Sequence, residues 1–228
     1  MTGPDLPQMP TPRPPPLSPM LEAELGQLAR VATRRPLRQI ALLVAVSLAY
    51  GAGVLAMLAM RRDVHELPMG WLAGAGLAWL LGFVVPLYLA MVPRRGAVMP
   101  RWKLAAGAAL IGSLGFIALG LAIHPSGPSS ATLGWEHFGR GAGCLGTGVA
   151  TALVPVVGGA IFLRGALPVG SRWIAAALGA GGGSLGGLVL HLHCRVTDGL
   201  HVGLIHGGVV GVAALLSAAL VPRATDVR

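Results

Sequence analysis

The sequence predicts an all-α integral membrane protein with six transmembrane helices and both termini in the cytoplasm, on three observations. The chain of 228 residues is 54% apolar and only 11% charged, with a mean hydropathy of +0.72, too little polar surface to coat a soluble globule of this size. Six apolar stretches each approach the roughly 20 residues that cross a hydrocarbon core of about 30 Å as a helix. The 17 Lys and Arg are shared unevenly between alternate links.

Taken in order, residues 1–19 hold eight prolines and read as a disordered, partly polyproline cytoplasmic arm. Residues 20–39 read as a cytoplasmic juxtamembrane helix. Ser18 can serve as its N-cap and Pro19 as its first position, and Glu22 and Glu24 place negative charge against the positive helix end. Leu21, Leu25 and Leu28 recur as a short apolar stripe. Two readings of that stripe stay open: a helix lying on membrane lipid headgroups, or a docking helix that offers the three leucines to a groove on a cytoplasmic partner.

A transmembrane domain over 40–222 follows, with spans at about 40–60, 70–92, 104–123, 142–163, 173–192 and 200–221, and a cytoplasmic tail over 223–228. Arg61-Arg62, Pro93-Arg94-Arg95, His124-Pro125, Arg164 and Pro222-Arg223 punctuate the span ends. The polar, proline-rich opening and a first apolar run too long for a signal-peptide core predict that helix one stays as a signal anchor.

Orientation follows from the cations, because short loops rich in Lys and Arg remain cytoplasmic. Arg13, Arg30, Arg34, Arg35, Arg38, Arg94, Arg95, Arg101, Lys103, Arg164, Arg172, Arg223 and Arg228 fall on one side, and Arg61, Arg62, Arg140 and Arg195 on the other. The net charge of +9 is thereby a topology signal, and direct nucleic-acid binding is not expected. A multi-pass protein of a cell inner membrane is.

Glycines recur at helix-packing spacing as Gly179, Gly183 and Gly187 in helix five and Gly203, Gly207 and Gly211 in helix six. Small residues four apart let helix backbones approach in a membrane, so these two helices are expected to form a tight hairpin. No Asp, Glu, Lys or Arg lies in the middle of a predicted span, which argues against an ion-coupled transporter or proton pump. No Ser-His-Asp, HExxH or paired-carboxylate constellation is discernible, so no enzyme is expected.

On this topology all seven histidines and both cysteines face outward: His65, His124, His137, Cys144, His191, His193, Cys194, His201 and His206. Cys144 and Cys194 sit at the outer ends of neighbouring helices, in an oxidising compartment if this is a bacterial inner membrane. Three readings compete: a reversible redox or thiophilic-metal sensor pair, a static disulfide, and two unlinked thiols. His191, His193 and Arg195 would raise the thiolate fraction of Cys194. His191, His193, His201 and His206 are candidate metal ligands of the kind zinc and copper take, although the spacing matches no standard zinc module. No resident cofactor is expected beyond transient metal binding. The remaining histidines, His65, His124 and His137, read as interfacial.

The six short helices, the cysteine at the outer end of helix four, and, fifty residues on, His191-Leu-His193-Cys194 followed by His201 and His206 resemble the NrsF-type membrane anti-sigma factors. The glycine-rich myxobacterial CarR-type anti-sigma factors are similar in build. The resemblance covers about residues 20–222, and its specific part is the stretch around Cys194. There the family commonly has proline after the second cysteine and this chain has Arg195, a departure that bears on the local turn more than on the thiol.

The resemblance implies a protein that sequesters an extracytoplasmic-function sigma factor at the inner membrane and releases it on an outer-face redox, light-derived or metal stress cue. Cys144 and Cys194 would correspond to the sensing pair, and residues around 20–38 and 94–103 would meet the sigma factor. Segments this basic would have to grip that partner through apolar contacts or its acidic patches. The alternative, from another class, is a membrane metal- or haem-handling protein that uses the outer His/Cys cluster.

Overall fold

The computed structural model describes residues 18–20, 35–93, 99–123, 141–164 and 171–225. The chain divides into two units, Met1–Arg34 and Arg35–Arg228. In the first, Ser18 precedes helical Pro19 and Met20, and residues 21–34 of the expected juxtamembrane helix, Leu21, Leu25 and Leu28 among them, lie outside the described residues.

The second unit is all-helical among the described residues. Its helices are α1 (Pro36–Leu58), α2 (Met69–Met91), α3 (Arg101–Ala122), α4 (Gly141–Leu163), α5 (Ser171–His193) and α6, which opens with π-helical His201–Gly207 and continues as α-helical Gly208–Thr225. All six are long and apolar enough to span a membrane, as expected. Residues 36–39 form the first turn of α1 instead of ending a separate juxtamembrane helix, Arg101 and Lys103 belong to the first turn of α3, and α6 extends through Arg223 to Thr225.

Position in the bundle follows side-chain size. α5 has the lowest mean hydropathy of the six spans, 1.5 against 1.8–2.2, yet 89% of its window is buried, against 17–50% elsewhere. It packs against each of the other five helices. Shielded from lipid, it does not need large apolar side chains, and its run Gly179-Ala-Gly-Gly-Gly183 with Gly186 and Gly187 lets neighbours approach to backbone contact. A Cβ on Gly186 would overlap the backbone of Gly148 in α4, and one on Gly179 or Gly183 would overlap the backbone of α6 at Ala213, Val209 and Val210.

The expected α5–α6 hairpin is therefore present, but the glycine pattern serves more than that pair. Gly187 makes room for the Trp79 ring of α2, Gly203 and Gly207 approach the α3 backbone from Phe116 to Leu121, and Gly211 meets only Ser113 among the described residues, at 3.8 Å. Trp79 and Phe116 stack with centroids 3.8 Å apart, joining α2 to α3 beside α5. Ser113, Thr151 and Ser184 each donate to the carbonyl four residues back, which satisfies their hydroxyls inside the helices.

Candidate functional site

At the bundle end carrying residues 59–68 and 194–200, the last turn of α5 presents carbonyls that no further helical turn can satisfy. The 59–63 segment supplies partners. The Arg61 amide donates to Leu192 O at 3.0 Å, and its guanidinium reaches His191 O at 3.4 Å. The same side chain, only 4% exposed as a residue, donates twice to the Asp63 carboxylate, each bond 2.8 Å. A buried cation at a helix C-terminus also meets the negative end of the helix dipole. Arg61 thus closes α5, a role that counting it among loop charges does not reveal.

His191 and His193 take part in the same closure. His191 Nε2 bonds Leu72 O at 3.0 Å, and His193 Nδ1 bonds Ala59 O at 2.8 Å. Both imidazoles are engaged by backbone carbonyls, His191 by one in the first turns of α2 and His193 by one in the α1–α2 link.

The other two candidate imidazoles converge on the thiols. Cys144 lies one turn into α4, half-buried, and Cys194 lies just past α5, buried. Their Sγ atoms are 3.9 Å apart. His201 Nε2 is 3.4 Å from the Sγ of Cys194, and the His206 ring meets that of His201 edge-on at 5.0 Å. One ligand atom from each of Cys144, Cys194, His201 and His206 lies within 4.8 Å of all the others. His201 and His206 are 1% and 3% exposed.

The π-helical start of α6 is what aligns the two imidazoles. In an α-helix of 3.6 residues per turn, positions five apart are rotated by about 140° and face different neighbours. Hydrogen bonds that close from i to i+5 instead set residue 206 above residue 201. Asp198 fixes where this helix begins: its carboxylate accepts from the His201 amide at 2.9 Å, and its carbonyl accepts from the Val202 amide. This is N-cap geometry. The approach of α3 is equally specific, because Gly120 and Gly203 meet with room for no Cβ.

The family model described as NrsF, negative regulator of sigma F, matches residues 26–225, most of the chain. The chain belongs to the NrsF family. No curated protein and no solved structure matches it.

For this NrsF-family protein a sigma factor is accordingly the partner class, and regulation the activity. Among the sequence candidates, the fold gathers Cys144, Cys194, His201 and His206 into one cluster and leaves His191 and His193 in the α5 closure beside it. His65 is exposed on the α1–α2 link, and His124 and His137 lie outside the described residues. Leu21, Leu25 and Leu28, the candidate partner stripe, are outside them as well.

Proposed function

We propose that this protein is a membrane anti-sigma factor that holds an extracytoplasmic-function sigma factor at the inner membrane and releases it when a redox, light-derived or metal stress cue reaches Cys144 and Cys194 from outside. Membership of the NrsF family carries the regulatory half of this reading. The two thiols 3.9 Å apart at one end of the bundle support the sensory half. The uneven division of cations supports an orientation with that end outward and Leu21, Leu25, Leu28 and residues 94–103 toward the partner.

The cue must act through two arrangements of α4, α5 and α6 that differ in affinity for the sigma factor. Cys144 belongs to α4, Cys194 ends α5, and the two histidines start α6, so a change in the bonding of the thiols bears on all three helices at once. Replacing both cysteines with serine is expected to abolish cue-dependent expression of the target genes. An unchanged response in the double variant would remove the thiols from the mechanism.

A second reading, a membrane metal- or haem-handling protein, is favoured by one observation, the mixed thiol and imidazole donor set. It requires cargo to pass through or react at the site. Loss of metal resistance with intact sigma-factor control in a His201→Gln variant would favour it.

A further inference from the structure

We infer that Cys144, Cys194, His201 and His206 form a closed four-coordinate site for a divalent thiophilic cation of the zinc type, and that ligation keeps the two thiols from pairing with each other. For its regulatory meaning this rests on the anti-sigma reading above; the binding itself does not.

The donor set is the first argument. Two thiolates and two imidazoles, with no carboxylate among them, are a closed structural zinc set. Ligation of the dication releases the two thiol protons and leaves a neutral complex, which suits a buried position at the end of an apolar bundle, where a net charge would be costly.

Geometry is the second. Zinc bonds of about 2.3 Å to sulfur and 2.0–2.1 Å to nitrogen put tetrahedral ligand atoms roughly 3.3–3.8 Å apart. The Sγ pair at 3.9 Å and the Sγ to Nε2 contact at 3.4 Å lie close to that range. No pair of ligand atoms is more than 4.8 Å apart, a separation that small side-chain rotations close, and half-buried Cys144 marks the side from which an ion enters.

The third is an unmet need. His206 Nε2 is buried and makes no hydrogen bond of good geometry among the described residues, its only polar partner there being the neighbouring Cys194 thiol, and a polar atom so poorly satisfied costs free energy until something bonds it well. The π-helical turn points the same way, because it turns both imidazoles to one face at the expense of regular α-helical bonding.

The test uses full-length protein, purified in detergent, reduced and metal-free, and titrated with Co(II). Expected is a single equivalent bound with thiolate-to-cobalt charge transfer and the intense red absorption of tetrahedral cobalt, displaced by Zn(II). Because loss of an outer-shell partner already costs 10–100-fold in metal affinity, His206→Gln and Cys144→Ser should each weaken binding at least about 100-fold, while His65→Gln leaves it unchanged. Should His206→Gln fail to fold by circular dichroism, Cys144→Ser, at the half-buried site, carries the comparison.

Zn(II)-loaded protein should also resist diamide, which oxidises two thiols to a disulfide by taking up both electrons and both protons. A weak octahedral spectrum, a tetrahedral spectrum unaltered in the variants, or equal thiol loss with and without Zn(II) would overturn the inference. Cobalt binding needs no sigma factor, so its failure leaves the anti-sigma reading standing, and failure of the sigma factor to co-purify leaves the metal site standing.

Discussion

Ala59 has φ 64° and ψ 150°, a backbone region that glycine occupies freely and a Cβ does not. It is held there by the His193 bond to its carbonyl and by the Arg61 amide two residues on. Ala59→Gly is therefore expected to stabilise the protein by roughly 1 kcal/mol, read as a raised midpoint of thermal unfolding in detergent. At Asp63, the hydrogen bonds from Arg61 lower the carboxyl pKa below 3.8. A depressed folded pKa means that this stabilisation is present at neutral pH and is lost as pH falls through the folded value, below about 4. Unfolding of the wild type should gain acid sensitivity in that window relative to Asp63→Asn, and identical acid profiles would deny the carboxylate its role. The sequence made the two cysteines and four of the histidines visible as candidates. It could not separate His191 and His193, which bond carbonyls, from His201 and His206, which meet the thiols, because that division depends on partners more than 100 residues away in one case and on local helix type in the other.

At the scale of elements, helix positions were legible within about four residues, since length and apolar content locate spans directly. The π-helical start of α6 was not, because it reflects where Asp198 caps the helix and how closely α3 packs on Gly203 and Gly207. Deleting Leu204, 37% exposed, would bring the two imidazoles to i and i+4, which share a face of an ordinary α-helix. The deletion variant is expected to fold and keep its cobalt spectrum, whereas loss of the spectrum in a folded variant would show that the π-helix does more than align the histidines. Glycine spacing likewise revealed that α5 packs closely, but not on which neighbour each glycine lies. Gly186→Ala forces α4 and α5 apart at Gly148 and should cost roughly 1–3 kcal/mol. Gly53→Ala, with nothing within 4 Å, should cost nothing, and thermal unfolding of the two variants side by side checks the contrast.

For the whole molecule, the least hydropathic span is the one the others surround, and the thiols and imidazoles stand where α4, α5 and α6 meet. A bonding change there acts on the helix that touches every other helix, which is a physical route from one face of the bundle to the opposite one. The partner class came from the family's pattern of residues and not from composition, since a basic surface alone does not specify a sigma factor. The most direct measurement is retention of the cognate sigma factor on the affinity-purified, detergent-solubilised full-length protein, with and without a thiol reagent added to the cells before lysis. Retention without the reagent, release with it, and retention under both conditions in the Cys144→Ser/Cys194→Ser variant are expected. A sigma factor that never co-purifies, or one that stays bound to the wild type whatever the state of its thiols, would contradict a regulator that senses at one face and answers at the other.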